Sequence, residues 1–393
     1  MANTVLTPTA VVRKAQQILH GKLFLAKKVN RQYDSQYMGD GAKMGADIKI
    51  RLPNKYTLRT GKTLNAQDTS ETSVTLTRAT QIGVDTTFST AELTMEMQDF
   101  ADRILEPAMA IVATALEDAI AAQYVVVPNL VGTAGTTPAT MLTILQAGAR
   151  LSDNLVPDSD RYLAVSPLAM ATMVDGYKGL FQKAGDIGNQ YETGLIKDMA
   201  TGFTWGRCPV INSHTMSAGT VTGITVNGAV SSGATTVTIT TTTTAIATGT
   251  IVTFAGCYAV NAETGNAYPH LRQWVVASAT ATVLTLTEAI TTSGANKNCS
   301  AVPTNSGAVT FSGSASTSYP QHLAFHRDWL TLATCDLEDV SKFGAWGARE
   351  VYDGISMRIA RQYDVNSDNV PCRIDVLYGV KQIRGEMAVR ITG

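Results

Sequence analysis

The chain has 393 residues, 45% of them hydrophobic and only 16% charged, with a formal net charge of −1. That much apolar side chain supplies a sizeable core and excludes an intrinsically disordered polymer. The charged fraction falls below the about 25% of an ordinary soluble domain, which makes a poor surface for a lone monomer and suits a chain that covers itself with its own copies.

The charge is unevenly spread. Residues 1–62 carry twelve Lys and Arg against three Asp, a balance of +9, whereas residues 63–124 carry two Arg against ten acids, a balance of −8. Residues 214–323 hold only Glu263, Arg272, Glu288 and Lys297 as charges, among 25 Thr, 11 Ser and 10 Gly. So abrupt a shift marks a module inserted into a host that resumes near Arg327.

In chain order, residues 7–29 predict an amphipathic helix. Thr7 caps it, Pro8 takes the favoured first position, and Val11, Val12, Ala15, Ile18, Leu19 and Leu23 share one stripe. Gly21 is placed to divide it. Residues 47–86 predict a long hairpin, with period-two alternation at Ile48-Lys49-Ile50-Arg51-Leu52, Val74-Thr75-Leu76 and Ile82-Gly83-Val84. Neither arm has a core of its own, so the hairpin needs something to lie on.

Residues 90–124 predict the longest helix. Ser89-Thr90-Ala91-Glu92 fits a capping box. Leu93, Met97, Phe100, Ile104, Met109, Ile111, Val112, Leu116 and Ile120 form its stripe, and Pro107 is expected to kink it. Further on, Thr140–Leu151 and Pro167–Met173 read as helices, Tyr162–Val165 as a buried strand and Gly176–Gly194 as a loop. The Thr-rich module reads as all β, with short runs at Thr222–Val226, Thr235–Thr240, Thr250–Phe254, Gln273–Ala277 and Thr282–Leu286 separated by Gly and Ser turns. Strand alternation returns over 351–364 and 373–391.

Catalytic signatures are missing: the sequence has no phosphate-cradling loop, no G-x-S-x-G and no H-E-x-x-H. Gly39-Asp40-Gly41-Ala42-Lys43-Met44-Gly45 has the wrong spacing for a dinucleotide fingerprint and reads as a turn. His322 and His326 could share a helix face at metal-compatible spacing, but a surface or core pair is the plainer reading. Asp158 and Asp160 flank Ser159 after Pro157 and read as a turn. Cys208, Cys257, Cys299, Cys335 and Cys372 are scattered without a C-x-x-C, which points to reduced, buried thiols. The stretch 108–116 is far shorter than the ~20 apolar residues of a membrane helix, and the first residues lack a signal-peptide pattern.

Three groups of residues carry a resemblance. The first is Phe88-Ser89-Thr90-Ala91-Glu92-Leu93 with Asp99-Phe100-Ala101-Asp102-Arg103-Ile104-Leu105-Glu106-Pro107-Ala108-Met109. The second is Thr250-Ile251-Val252-Thr253-Phe254-Ala255-Gly256 with Tyr258-Ala259-Val260-Asn261. The third is Arg361-Gln362-Tyr363-Asp364 with Arg373-Ile374-Asp375-Val376-Leu377-Tyr378-Gly379-Val380-Lys381. In this order they resemble the major capsid proteins of tailed phages, in the coat-protein branch of the Salmonella podovirus P-22, along essentially the whole chain.

The resemblance implies an α+β fold of the Hong Kong 97 type. Its N-arm would be 1–39, its extended E-loop 40–86 and its spine helix 87–124. An axial domain would occupy 125–213 and 324–350, an inserted barrel-like β domain 214–323, and peripheral closing strands 351–393. It further implies a non-enzymatic shell protein without cofactor or metal. Such a chain assembles as hexamers and pentamers on a scaffolding protein in the host cytoplasm, takes in double-stranded DNA through a portal protein and later expands; no membrane is involved. An encapsulin-like compartment protein and a surface adhesin or decoration protein are the alternatives.

The charge pattern then suggests which residues meet. Arg51, Lys55, Arg59 and Lys62 of one copy would face Glu92, Glu96, Asp99, Asp102 or Glu106 of another, setting register more than strength. Lys14, Lys22, Lys27, Lys28 and Arg31 would face scaffolding protein or DNA.

Overall fold

The computed structural model describes residues 8–31, 48–59, 61–64, 66–67, 71–77, 80–89, 104–177, 193–196, 199–219, 221–242, 244–352, 354–365 and 369–393. Contacts divide the chain into two compact units. One comprises Met1–Ile50, Val74–Ile120 and Leu330–Lys381; the other comprises Arg51–Ser73, Ala121–Trp329 and Gln382–Gly393.

The chain begins with α1 (Pro8–Lys22) and the short α2 (Leu25–Lys28). The predicted stripe is the buried face: Val11, Val12, Ala15 and Leu19 are all at most 1% exposed. The helix stops just after Gly21, and a buried carboxylate shapes the break. Glu117 accepts the backbone N–H groups of Phe24 at 2.9 Å, Leu25 at 2.8 Å and Ala26 at 3.1 Å. Those are the orphan donors that open α2, and an anion is the acceptor a helix start favours.

Strands β1 (Ile48–Arg51) and β2 (Ser73–Leu76) pair with each other. β3 (Thr80–Ser89) does not continue that hairpin. It pairs with a late strand in register from Asn369↔Ser89 to Tyr378↔Thr80. The predicted hairpin therefore ends near Leu76, and the alternation at Ile82-Gly83-Val84 belongs to the closing sheet. α3 (Glu106–Ala121) follows a π turn at Ile104–Leu105. Helices adjust in this way near a residue that cannot donate its N–H, here Pro107. Met109, Val112, Leu116 and Ile120 are buried as predicted, but Ile111 is 62% exposed because it falls two residues from Met109 and so points away. The capping box and the first part of this stripe, over 90–103, lie outside the described residues.

With the 3-10 turn Ala122–Val126, the helical run Glu106–Val126 is long and apolar enough to cross a membrane by length and composition alone. Its part up to Ile120 belongs to the first unit, where Met109, Val112, Leu116 and Ile120 are buried and Glu117 is the cap of α2.

Next come β4 (Asn129–Val131), α4 (Met141–Asp153), β5 (Arg161–Val165), α5 (Pro167–Tyr177), β6 (Met199–Ala200), β7 (Phe203–Arg207) and β8 (Ser213–Thr215). The Thr-rich segment folds as β9 (Ala234–Thr238), β10 (Ile251–Val260), β11 (Ala267–Ala279), β12 (Val283–Ile290) and β13 (Val309–Phe311). β14 (Ser318–Pro320) returns along β8 and closes it off. The chain ends with β15 (His322–His326), β16 (Leu330–Cys335), β17 (Trp346–Tyr352), β18 (Ile355–Arg361), β19 (Asn369–Gln382) and β20 (Ala388–Ile391).

In the first unit, the sheet order β16-β19-β18-β17 has β3 added along β19. Asp375 sits at its centre, 1% exposed. It takes Arg358 at 2.7 Å and the Arg373 guanidinium at 2.9 to 3.1 Å. Opposite it, Gly83 has no room for a side chain: a Cβ there would lie 2.8 Å from Oδ1 of Asp375. The buried amide of Gln16 donates to the carbonyls of Glu350 at 2.7 Å and Ile355 at 3.1 Å, which docks α1 on the β17–β18 hairpin.

In the second unit, a mixed sheet runs β4-β20-β15-β5-β7-β6. The Thr-rich strands form their own sheet, β13-β10-β11-β12-β9, in which the start of β11 pairs with β10 and its end with β12. That sheet has a separate core built on Val252, Phe254, Trp274, Val276, Leu284 and Phe311, every buried member of which lies between Met216 and Phe311.

Replacing Glu117 by Ala strands the three N–H groups that open α2, one of them only partly buried. The expected cost is about 3 kcal/mol, read as a lower urea midpoint, with Glu117→Gln falling between the two.

Candidate assembly surfaces

The loop between β1 and β2 is held by its own polar side chains. Leu52 N–H donates to Thr72 at 2.9 Å and Arg51 pairs with Glu71 at 3.0 Å. Farther out, the amide of Gln67 brackets Thr57, accepting from its N–H at 2.8 Å and donating to its carbonyl at 2.6 Å. The Arg59 guanidinium donates to the carbonyls of Gly61 and Thr63, curling the tip around itself. The apolar side chains are left outside: Leu58 is 90% exposed, Leu64 84% and Tyr56 61%. Apolar knobs on a polar-braced loop mark a contact surface rather than a core. Lys55 and Lys62 stand exposed beside them.

These contacts show where the predicted interface residues stand. Arg51, Arg59 and Glu106 already have partners in their own chain, the last being Lys22 at 3.2 Å. Glu92, Glu96, Asp99 and Asp102 lie outside the described residues. Of the N-arm cations, Lys14 is exposed, Lys27 and Lys28 are half-buried, and Arg31 donates to the Ala26 carbonyl at 2.9 Å. The apolar side of α1 is buried, so only its outer face, with Arg13 and Lys14, is open.

A second feature fixes the Thr-rich module at its root. Arg390 on β20 is 1% exposed and, among the described residues, has no carboxylate partner. Its Nε donates to Val127 at 2.9 Å and its Nη1 to Gly249 at 2.6 Å, and it lies 5.4 Å from the Tyr124 ring centroid. Burial pulls its pKa down to about 9, still cationic at neutral pH. Gly249 has φ +88°, and a Cβ there would press on Val125 at 3.2 to 3.3 Å. Beside it, His214 on β8 meets the Tyr124 hydroxyl at 3.4 Å and Thr250 Oγ1 at 3.1 Å, edge-on to Tyr319 of β14. Burial first, and the Arg390 charge second, push the His214 pKa down to about 4. No local pattern joins residues 124, 214, 249, 319 and 390, so sequence reading missed this knot; an arginine in the otherwise apolar run Ala388–Ile391 was its only signal.

The remaining candidates have structural roles. His322 and His326 lie on a strand rather than a helix; both are buried and accept backbone N–H groups, from Ser166 at 3.2 Å and Asp328 at 3.1 Å. Burial lowers the His322 pKa to about 4. Asp158 pairs with Arg161 at 2.9 Å and Asp160 has φ +52°, as a turn requires. All five cysteines are buried thiols outside any disulfide. Among the described residues, no group of three or more His, Cys, Asp or Glu could hold a metal ion.

A family model described as P22 coat protein, gene protein 5, matches residues 2–393. No curated protein matches the chain. Among solved structures, a chain of Mycobacterium phage Che8 is similar at 13% identity, over 94% of this chain and 90% of its own, with a TM-score of 0.48. The capsid of Cyanophage P-SCSP1u aligns at 11% identity over 90% and 85%, with a TM-score of 0.42. The capsid of an empty GTA particle aligns at 8% identity over 93% and 91%, also with a TM-score of 0.42.

The histidine environments set a pH window. His214 and His322 are held neutral by the fold down to about pH 4, while an unfolded histidine protonates near 6.5. Between those values the unfolded chain binds more protons, so stability is intact above about pH 6.5 and is lost as pH falls towards 4. The loss reaches about 3 kcal/mol per histidine. Urea midpoints at pH 7 and pH 4.5 should differ clearly for the parent and converge for His214→Gln/His322→Gln.

Proposed function

The chain belongs to the P22 coat protein family, making it a phage major capsid protein that builds a shell from copies of itself, and we propose that it does so as a Hong Kong 97-type subunit on a scaffolded procapsid that later expands. In this reading, the loop between β1 and β2 is the E-loop, α3 ends the spine helix, and the strands from β9 to β13 form the inserted domain. The subunits form hexamers and pentamers, assembled in the host cytoplasm. Scaffolding protein, a portal protein and packaged double-stranded DNA are the further partners, and the outer cations of α1, Lys14 foremost, are placed to meet the first or the last.

The observation that carries the assembly reading is the loop tip. Its arginine and glutamine are used to hold its shape, and Tyr56, Leu58 and Leu64 are presented to solvent. Burying such side chains is worth about 1.5–3 kcal/mol each, whereas an exposed ion pair gives about 0–1 kcal/mol. A neighbouring copy is the surface that covers them, with Lys55 and Lys62 setting register against the acidic segment that includes Glu92, Glu96, Asp99 and Asp102.

Negative-stain microscopy of the chain expressed with its scaffolding protein is expected to show closed shells. Leu58→Ser/Leu64→Ser should leave the thermal melt of the subunit unchanged and reduce shell yield at least tenfold. Lys55→Glu/Lys62→Glu should give misassembled or open particles, improved by a Lys at a facing acid. Normal shells from both double variants would remove the loop from the assembly contact.

The separate core of the Thr-rich strands supports a module that folds by itself. A fragment of residues 214–323 is expected to give dispersed amide NMR shifts. A collapsed spectrum would mean that the Arg390 knot is needed for folding as well as for placement.

A further inference from the structure

The Thr-rich sheet is closed by a short seam, and the seam ends on the only Asn-Gly pair in the sequence, Asn227-Gly228. Residues 224–227 join the two edges of that sheet, β9 and β13. On one side, Asn227 N–H donates to the Thr238 carbonyl at 2.9 Å and Thr240 N–H to Thr225 at 2.8 Å. On the other, Val226 N–H donates to Gly307 and Val309 N–H to Ile224, both at 2.9 Å. Closure of this kind leaves no strand edge exposed. Ile224 and Val226 are buried in the module's core.

At Asn227 the chain turns outwards. Asn227 and Gly228 are both exposed. Gly228 has φ +102°, and a Cβ there would meet nothing within 4 Å, so the space around it is open. Among the described residues, the side-chain amide of Asn227 takes part in no hydrogen bond. A contact across the seam restrains the pair: Gly228 N–H donates to Oδ1 of Asn305 at 2.8 Å. The acceptor is itself anchored, because the next residue, Ser306, donates its N–H to the Val226 carbonyl at 2.9 Å.

We infer that Asn227 is a site of spontaneous deamidation, held back by the hydrogen bond from Gly228 to Asn305. The main-chain nitrogen of Gly228 attacks Cγ of Asn227. The N–Cγ bond forms, the Cγ–Nδ2 bond breaks, and ammonia leaves with the proton that the nitrogen gives up. Water then opens the cyclic imide at one carbonyl or the other, leaving Asp or isoaspartate. Glycine suits this step because it puts no Cβ in the path and turns freely. While Gly228 N–H is donated to Asn305, its peptide plane is fixed and cannot turn towards Cγ, so the bond must open first. The product changes the module in two ways. Residues 214–323 carry Glu263 and Glu288 against Arg272 and Lys297, so one new carboxylate breaks an even balance. Isoaspartate also adds a methylene to the main chain beside the bonds to Thr238 and Asn305, which spoils the spacing that closes the seam.

The test ages the full-length chain for weeks in mildly alkaline buffer and reads its peptides by mass spectrometry. The peptide holding Asn227 is expected to gain the mass of an amide turned into an acid, with isoaspartate shown by its labelling with an isoaspartate methyltransferase. Asn305→Ala is expected to speed that gain roughly three- to tenfold, the factor that one hydrogen bond carries. Asn305→Asp keeps an acceptor oxygen and is expected to stay near the parental rate, which separates a lost bond from a loosened module. No gain at Asn227 in the parent or in Asn305→Ala, or equal rates in the two, overturns the assignment. A rate in Asn305→Asp as high as in Asn305→Ala overturns the restraint by Asn305. The aged parent is expected to unfold at a lower urea midpoint than aged Asn227→Gln, and equal midpoints overturn the effect on the seam.

Discussion

The second unit depends on one buried cation. A guanidinium removed from water costs several kcal/mol unless its N–H groups find acceptors, and among the described residues no acid supplies them to Arg390. The acceptors are the carbonyls of Val127 and Gly249, with the face of Tyr124 close by. They come from the end of the helical run and from the loop leading into β10, 263 and 141 residues before Arg390 in sequence. The charge is accommodated only when all of these are in place. Gly249 is needed because its carbonyl faces Arg390, its N–H donates to Val276 at 2.8 Å, and its Cα is close to Val125. Placement of the Thr-rich module and pairing within it are thereby linked at one residue.

The first unit solves a related problem with the opposite charge. Glu117 and Asp375 are carboxylates at 4% and 1% exposure. The first is neutralised by three N–H groups at a helix start and the second by two arginines. Breaking any one of these partnerships leaves a buried ion uncompensated, which is more costly than removing the pair together. Each also joins elements distant in sequence, α3 to α2 and β18 and β3 to β19, so these few charges specify the arrangement as much as the apolar core does.

Periodicity made much of this fold legible. The buried stripe of α1, the α4 and α5 helices, β5, and the β character of the low-charge module follow from side-chain spacing and composition, because burial acts on neighbours along one face. Pairing was less legible. Ile82-Gly83-Val84 alternates as well for a hairpin with β1 as for its partner, β19, and the alternation does not show the close approach at Gly83, where a Cβ would run into the Ile374 carbonyl and then Asp375 Oδ1. β10 and β11 are longer than their apolar runs, since a strand at a module surface continues through Tyr258, Tyr268 and His270 on cross-strand pairing alone. Ile111 was misplaced because a stripe written as a list of apolar residues ignores the face each occupies.

The charge segregation takes on a different meaning with these contacts in view. The +9 and −8 segments are first partners within one copy: Lys22 meets Glu106, and Arg51 of the basic segment meets Glu71 of the acidic one, all near the surface at 3.0 to 3.2 Å. Arg59 is used on backbone carbonyls of its own loop. Among the described residues, part of the opposite charge thus shapes the subunit, and adhesion in the proposed assembly falls to exposed apolar groups such as Leu58 and Leu64, with the remaining cations fixing register. Apolar burial is undirected and ion pairs at a surface are weak. Together they give contacts that can form, slip and reform until the register is correct, and that hold through repetition around a shell rather than through the strength of any one of them.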